Sequence, residues 1–316
     1  MGRRKKGAPV HGWVVIDKPK DVTSTQVVGV VRRIFDAQKA GHAGTLDPMA
    51  TGVLAIALGE ATKTVPYAMD AEKTYRFTAT WGEARDSDDA EGAVIATSPH
   101  RPTAEQIAAA LPDFTGEIVQ VPPAYSAIKV QGERAYDLAR EGQEVRLEPR
   151  TVEIYESRLL ATPDPDHAEF EIRCGKGTYI RAWVRDLARA LGSVGYVSDL
   201  RRTRIGGFSA DAAIPLEKLR ALGHGPAAFE HLRPIATALD GIPALAVTGP
   251  DAVRLKSGNS VLVRANIFAR LADCVSGDDL QGLTVFCSTP EGEPVALAEL
   301  EQGELRPFRV FNFGTG

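Results

Sequence analysis

The feature that most constrains the fold is the segment from Gly12 to Leu58, where strand and helix patterns alternate around a glycine-rich loop. "WVVID" predicts a strand that ends in a turn at Lys18-Pro19. "TQVVGVVRRIFDAQ" has apolar residues at helical spacing and follows a Ser/Thr cluster that can N-cap a helix. The apolar run "VLAIALG" fits either a buried strand or a short helix, so its type stays open at this point.

The rest of the chain continues to mix both kinds of element. "KTYRFTATWG" alternates as a strand does, and "TAEQIAAALPDF" predicts a helix. "HAEFEIRC" predicts a strand, followed by a Gly-rich turn, the amphipathic helix "RAWVRDLARALG" and a basic strand. From about residue 240 the pattern changes to short strands, one helix and Gly/Asp/Pro turns. We therefore expect an α+β protein with a small β-rich appendage of about seventy residues.

Chain length and composition limit the class of protein. A chain of 316 residues exceeds the size at which one core usually keeps growing, so a large domain and a small one are expected. The apolar runs are too short to span a bilayer, and no signal-peptide pattern precedes His11. The three cysteines form no CxxC pair, which argues against a disulfide framework or a cysteine zinc site. These features predict a protein of the reducing cytoplasm, without a membrane segment.

Charge is unevenly distributed along the chain, although the formal net charge is only −4. Residues 1–66 hold ten Lys/Arg against five Asp/Glu, and residues 173–206 hold eight against two. The segment from 240 to the end is acidic, with six basic and ten acidic residues. Local basic patches matter more than net charge for phosphate binding, so a nucleic-acid partner and ordinary solvated faces both remain open.

The stretch "GHAGTLDPMATG", residues 41–52, places a single carboxylate, Asp47, in a glycine-rich loop directly before Pro48. Proline restricts the preceding residue to extended backbone, and glycines permit close approach or positive φ. An Asp-Pro turn is the simpler explanation for the triplet alone. The alternative is a carboxylate presented for chemistry.

The loop is part of a longer ordered pattern. "GHAGTLDPMATGVLAIALGEATK" is preceded by "DKPKDVTS" and followed by "KTYRF" and "GTYIRAWVRDL". From about Gly12 to Phe208 this set resembles the TruB family of tRNA pseudouridine synthases. The resemblance implies a mixed, largely antiparallel sheet with flanking helices and a central cleft, followed by a small β-rich PUA-like domain. The implied boundaries are a basic tail at 1–10, a catalytic domain at 11–240 with an RNA-gripping insertion at about 130–145, and the PUA-like domain at 241–316.

The same resemblance implies a catalytic residue, Asp47, and two active-site partners that bind the substrate or pair with the acid, Tyr75 and Arg181. Asp47 matches the catalytic aspartate, and Arg181 matches an arginine that can keep a buried carboxylate ionised through a paired hydrogen bond. Tyr75 is implied to stack on the target uracil, since an aromatic face suits a flipped base. A surface salt bridge for Arg181 and simple sheet packing for Tyr75 are the structural alternatives.

Further positions are implied to line or support this site. Leu200 matches an apolar wall of the uracil pocket, and Tyr179 is expected to orient Arg181, although core packing competes for both. His42 is implied to enter the RNA and hold the flipped base, with loop stabilisation as the alternative. Lys18 and Pro19 are expected to support the catalytic loop, and Lys18 or Lys20 is a candidate for phosphate contact.

Pseudouridine formation breaks the N1–C1′ bond and joins C5 to C1′, with no redox change and no imported group. The chain carries no GxGxxG fingerprint, no P-loop and no His/Cys metal spacing. We therefore expect a cofactor-free and metal-free isomerase that depends on a positioned carboxylate.

The implied substrate is the T-loop uridine at tRNA position 55, reached by base flipping in the T-arm. We expect a cytoplasmic monomer that needs no protein partner. Two alternative functions remain open: a tRNA-folding chaperone, and a guide-RNA-dependent synthase that acts on ribosomal RNA in a larger complex. The acidity of the C-terminal seventy residues suggests that they contribute to placement rather than to tight binding. Candidate contacts to the RNA backbone are Arg32, Arg33, Arg201, Arg202 and Arg204.

Overall fold

The computed structural model of the chain describes residues 7–126, 128–130, 133–136, 147–264 and 280–313. Most of the expected basic tail and most of the expected insertion at 130–145 lie outside these residues, so both stay predictions.

The described residues form an α+β fold, as expected. The helices are α1 Ser24–Ile34, α2 Val65–Asp70, α3 Ala104–Ala110, α4 Ile180–Ala190, α5 Leu216–Leu222, α6 Pro226–Phe229 and α7 Gly249–Lys256. The strands before residue 150 are β1 Gly12–Lys18, β2 Ala40–Ala43, β3 Thr51–Leu58, β4 Lys73–Trp81, β5 Glu83–Arg85, β6 Val94–Thr97, β7 Gly116–Gln120, β8 Lys129–Val130 and β9 Glu133–Arg134. Those from residue 150 onward are β10 Arg150–Asp164, β11 His167–Cys174, β12 Gly195–Ile205, β13 Phe208–Ser209, β14 Ile214–Pro215, β15 Leu232–Arg233, β16 Ala244–Ala246, β17 Val261–Leu262, β18 Leu283–Ser288, β19 Pro294–Glu301 and β20 Glu304–Val310. Short 3-10 helices lie at Gly59–Lys63, Leu111–Phe114, Ala210–Ala212 and Ile235–Leu239.

A large mixed sheet runs in the order β14-β1-β3-β12-β4-β11-β10-β7, and β2, β13 and β15 pair at its margins. Most neighbours are antiparallel, and the exceptions are β1 with β14 and β12 with β3. The expected fold class, a mixed and largely antiparallel sheet with flanking helices, is confirmed.

The apolar run "VLAIALG" is a strand, β3, and it lies at the centre of this sheet. Leu54, Ile56 and Leu58 belong to the core that also includes α1 and α4. Val53, Ala55 and Ala57 face a second core on the other side of the sheet. Because both faces are covered, the strand is apolar from Val53 to Leu58 rather than alternating.

Near the centre of the sheet, the junction between β3 and β12 is short: the two strands pair only at Arg201–Thr51 and Arg202–Gly52. By contrast, β12 pairs with β4 along nearly its whole length. Gly52 has φ +96°, and a Cβ there would lie 2.2 Å from the Arg202 carbonyl oxygen, so only glycine allows this approach. Residues 41–43 and 51–52 of the expected glycine-rich loop therefore belong to strands β2 and β3, and the loop itself, residues 44–50, leads into β3 beside this short junction.

The segment after residue 240 forms a separate five-stranded sheet, β16-β18-β19-β20-β17, with its own apolar cluster. Phe286, Leu297 and Phe311 of this segment pack into the second core of the large sheet. At the seam, Lys63 Nζ donates to the Val310 carbonyl at 2.7 Å. In the part of the chain that is described, no helix is long and apolar enough to cross a membrane.

Candidate active site

Asp47 lies in the loop between β2 and β3, where its side chain is 34% exposed while its neighbours Leu46 and Met49 are buried. The Asp47 carbonyl accepts a hydrogen bond from the Ala50 backbone N–H at 3.1 Å, which closes a turn directly after the acid. The loop is therefore the turn that the Asp-Pro sequence favours and also presents a carboxylate. The two explanations are compatible.

Arg181 lies in the first turn of α4 and is 3% exposed. Its Nε lies 2.9 Å from Asp47 Oδ2, within ion-pair distance. Its Nη1 donates to the Ser87 carbonyl at 2.7 Å and its Nη2 to the Tyr125 carbonyl at 2.8 Å. The expected forked pairing with Asp47 is absent, because the guanidinium divides its donors among several partners.

A second carboxylate, Asp89, contacts the same arginine and was not anticipated from the sequence. Asp89 Oδ2 lies 3.4 Å from Arg181 Nη1, and both side chains are buried. Burial disfavours the charge on Arg181, but Asp47, Asp89 and Asp88 outweigh it, so the pKa of Arg181 is raised. Arg181 is thus a fixed cation shared between two acids.

The turn at residues 87–89 contacts two arginines of α4, Arg181 and Arg185. Asp88 adopts φ +59°, a left-handed conformation that Asp tolerates, so its side chain turns toward Arg185. Arg185 Nη1 lies 2.9 Å from Asp88 Oδ2. Because Arg181 and Arg185 are four residues apart, they project from the same side of the helix and both reach this turn.

Tyr75, Leu200 and Arg202 share the face of the sheet next to the Asp47 loop. Tyr75 on β4 lies directly opposite Arg202 on β12, and Leu200 lies two residues earlier on the same face. Burial raises the pKa of Tyr75, while the neighbouring charge of Arg202 lowers it in part. Tyr75 is therefore a neutral phenol at physiological pH.

His42 lies on β2, opposite Ile56, and is half-buried. Burial and the charge of Arg202 both lower its pKa. Its Nδ1 is buried and has no hydrogen-bond partner among the described residues. At neutral pH the ring is therefore uncharged, with a polar atom unsatisfied.

Lys18 supports the loop and does not reach solvent. Its Nζ donates to the carbonyls of Pro19, Val22 and Pro48 at 2.9, 2.7 and 3.0 Å, which uses all three of its N–H donors. The structure favours the supporting role for Lys18 and Pro19. The expected phosphate contact by Lys18 is wrong, because the residue is fully buried.

Tyr179 is the N-cap residue of α4, and its backbone is held by Gln120 of β7. The Gln120 side chain accepts from the Tyr179 N–H at 3.1 Å and donates to the Tyr179 carbonyl at 3.3 Å. The guanidinium of Arg150 covers the tyrosine ring at 4.8 Å from its centroid. Tyr179 thus stands at the start of the helix turn that carries Arg181.

The five arginines considered for RNA contact lie in different environments. Arg202 is 1% exposed and donates to the carbonyls of Val53 at 2.8 Å and Gly44 at 3.1 Å, so its expected RNA contact is wrong in this structure. Arg201 faces the opposite side of the sheet and forms a two-point ion pair with Asp17, both contacts at 2.9 Å. The exposed members are Arg32, Arg33 and Arg204.

Within the described ranges, no cluster of three or more His, Cys, Asp or Glu residues could hold a metal ion. The residues at this site instead provide an accessible carboxylate on Asp47, buried cations and an aromatic face. Such an arrangement suits nucleophilic or general-base attack on a bound ring system.

Comparison with known families gives two matches along the chain. Residues 32–180 match the model of the TruB family pseudouridylate synthase N-terminal domain, and residues 181–240 match the tRNA pseudouridylate synthase B C-terminal domain. A protein of Nitrobacter winogradskyi called tRNA pseudouridine synthase B is 56% identical over 315 residues, covering 98% of this chain and 85% of the relative. A protein of the same description from Caulobacter vibrioides is 53% identical over 311 residues, covering 98% of this chain and 99% of the relative.

Solved structures share the fold. An H/ACA RNP bound to a substrate RNA containing 2′-deoxyuridine matches with a TM-score of 0.72 and 22% identity, covering 99% of this chain and 92% of the other. A Cbf5-Nop10-Gar1 complex matches with a TM-score of 0.71 and 24% identity, covering 96% and 85%. At this identity the likeness concerns the fold alone.

Proposed function

The chain belongs to the TruB family of pseudouridylate synthases, and on that premise we propose that it isomerises the T-loop uridine at tRNA position 55 to pseudouridine. The observation that carries the proposal is Asp47, an accessible carboxylate that the buried Arg181 contacts at 2.9 Å. A fixed cation beside a carboxylate favours its charged form, and this supports Arg181 as the partner of Asp47 in the proposal.

The reaction rearranges atoms that the substrate already holds. The N1–C1′ bond breaks, the base turns, C5 bonds to C1′, and the C5 proton is lost while N1 gains one. A single carboxylate can attack as a nucleophile or accept a proton, so Asp47 is the catalytic residue in this proposal. The proposed enzyme is an isomerase that needs no cofactor and no metal.

Tyr75 and Leu200 form the proposed binding surface for uracil. They lie on one face of the sheet, and an aromatic ring beside an aliphatic side chain suits a flipped pyrimidine. Because the raised pKa keeps Tyr75 protonated, its role is that of a stacking surface and hydrogen-bond donor, not of a general base. Tyr179 is assigned to orienting Arg181 through the start of α4.

His42 and the exposed arginines are assigned to the RNA. A neutral, half-buried imidazole can stack or hydrogen-bond where the flipped base leaves the T-arm. Arg32 and Arg33, about 13 Å along α1 from its first residue, and Arg204 are the candidates for phosphate contact. Arg201 remains a weaker candidate because its guanidinium is engaged by Asp17.

The proposed domain boundary lies near residue 240. Residues 11–240 supply the large sheet and the site, and residues 241–316 form a PUA-like domain that helps to place the RNA. We propose that the chain acts as a monomer without a protein partner, since all of the proposed catalytic residues lie on this one chain.

The purified chain alone, incubated with an unmodified tRNA transcript, tests the function. Pseudouridine mapping should show one modified T-loop uridine at position 55. A transcript in which that uridine is replaced by cytidine is the matched control and should remain unmodified. Absence of product from the chain alone would contradict a stand-alone synthase, and product only after addition of guide RNA and other proteins would favour the guide-dependent alternative.

A further inference from the structure

The residue before Asp47 is held by a single buried hydroxyl. Ser24, the first residue of α1, is 2% exposed. Its Oγ donates to the Leu46 carbonyl at 3.1 Å and accepts from the Leu46 backbone N–H at 2.9 Å. One hydroxyl therefore satisfies both backbone polar groups of the residue that precedes the carboxylate.

The residue after Asp47 is held as well, by different groups. The Pro48 carbonyl accepts from Lys18 Nζ at 3.0 Å and from the Asp21 backbone N–H at 2.9 Å. The Leu46 side chain is buried, so its backbone cannot turn to water for replacement hydrogen bonds without moving the loop. With both neighbours fixed, the Asp47 carboxylate has little freedom beyond its own side-chain rotation.

We propose that Ser24 is a positioning residue for Asp47. The inference rests on the proposed function, because it concerns where the carboxylate stands relative to Arg181 and the substrate. Ser24 touches neither the carboxylate nor the substrate site; it acts by fixing the Leu46 peptide groups. Loss of its hydroxyl leaves a buried donor and a buried acceptor unpaired, and the loop relieves this by shifting Asp47.

The neighbouring hydroxyl, Thr23, provides a matched control. Thr23 is exposed and is the N-cap of α1: its Oγ1 accepts from the Gln26 N–H at 3.2 Å, and its own N–H donates to Gln26 Oε1 at 2.8 Å. Both residues thus lose a hydroxyl contact near the start of one helix when changed to alanine. Only Ser24 contacts the loop of Asp47.

The experiment compares Ser24→Ala with Thr23→Ala in three measurements on the full chain: kcat at saturating tRNA transcript, the Kd for that transcript, and amide hydrogen exchange at Leu46. Ser24→Ala should lower kcat by about ten- to a hundredfold, since a small misplacement of a catalytic group has this effect, and should change Kd by less than about twofold. The Leu46 amide should lose its protection. Thr23→Ala should lower the melting temperature but keep kcat within about twofold and leave Leu46 protected.

Ser24→Cys keeps a polar hydrogen at the same position in a slightly larger side chain that hydrogen-bonds more weakly, so its kcat should fall between those of the wild type and Ser24→Ala. The inference is overturned if Ser24→Ala retains the wild-type kcat, if Leu46 keeps its protection, or if both alanine variants lose kcat in proportion to their melting temperatures. Failure of the proposed function looks different: the wild-type chain would then form no pseudouridine, while the exchange at Leu46 would still report on the Ser24 contact.

Discussion

Two buried arginines, Arg181 on helix α4 and Arg202 on strand β12, approach the Asp47 loop from different sides, and they have different partners. Arg181, on the helix side, contacts the carboxylates of Asp47 and Asp89 as well as two backbone carbonyls. Arg202, on the strand side, donates to the carbonyls of Gly44 and Val53, and no carboxylate lies within ion-pair distance of it among the described residues. Burying a cation is costly unless it is paired, so the two sites compensate that cost in different ways.

The difference separates two tasks. Carboxylate partners on the helix side make Arg181 a partner for the charge of Asp47. On the strand side, Gly44 begins the loop and Val53 lies in β3 shortly after it, so Arg202 fixes the backbone on both sides of Asp47. Lys18 is held in the same way, by carbonyls alone, and burial lowers its pKa to about 8 despite the opposing charge of Asp47. The helix side thus controls charge and the strand side controls position.

Asp47→Asn should have the largest effect, because it removes the group on which both sides converge. We expect turnover to fall by about a thousandfold or more while the Kd for tRNA changes little, since the amide keeps the shape but loses the charge and basicity. Single-turnover pseudouridine formation and filter binding measure the two quantities. If turnover and tRNA affinity fell equally, Asp47 would have a structural role, and the two arginines would not act on a catalytic carboxylate.

Arg181→Lys should come next and tests the helix side. A lysine keeps the positive charge but cannot serve two carboxylates and two carbonyls at once, so we expect kcat to fall by about a hundredfold. The Kd for tRNA should stay within about threefold of the wild type. Arg189→Lys, at an exposed position of the same helix, is the matched control and should be nearly silent. A wild-type rate in Arg181→Lys would refute the proposed control of charge.

Asp47, Tyr75 and Arg181 can be predicted from the sequence, but the residues that hold them in place cannot. Asp47, Tyr75 and Arg181 stand in extended motifs that can be recognised, and the strands and helices around them follow from local periodicity. Asp89 lies in "DSDDAEG", where its side chain has no local mark that separates it from an ordinary polar turn. Its role depends on a contact with a residue more than ninety positions away, which periodicity does not report.

The arginines of "LRRTR" differ in a way that the strand pattern itself predicts. In a strand, neighbouring side chains point to opposite faces, so Arg201 and Arg202 could not share one role. Which of them is buried depends on the central junction with β3, and that contact is set by tertiary structure. Ser24 is similar: a Ser/Thr cluster predicts a cap, but only the structure shows that Thr23 caps the helix and that Ser24 holds Leu46.

Arg202→Lys tests the strand side and should have a smaller effect on rate than Arg181→Lys. One ammonium group cannot span the Gly44 and Val53 carbonyls as the guanidinium does, so we expect about a tenfold loss of kcat. The free energy of unfolding should fall by about 2 kcal/mol, because a buried carbonyl loses its charged donor. Urea unfolding and single-turnover assays measure the pair of effects. The assignment would be reversed if Arg202→Lys lowered kcat more than Arg181→Lys while the two variants had the same free energy of unfolding. Arg202 would then control the charge of the site and Arg181 its position.

The smallest effect should come from pH, which separates the two sides without a mutation in either arginine. The raised pKa of Arg181 keeps the helix side charged, whereas Lys18, with its pKa lowered to about 8, loses its proton as pH rises from 7 to 9.5. Neutral Lys18 has two N–H donors for three carbonyls, so kcat should fall a few-fold with a midpoint near pH 8.

The free energy of unfolding should change in the opposite direction. Between the folded pKa of Lys18, about 8, and its unfolded value of 10.5, the unfolded chain binds more protons than the folded chain. Relative to Lys18→Met, the wild-type free energy of unfolding should therefore rise in this window, by up to about 1.4 kcal/mol per pH unit. Urea unfolding of both proteins at pH 7.5 and 9.5 measures the difference, and parallel pH dependence would show that the strand side does not rest on a titrating lysine.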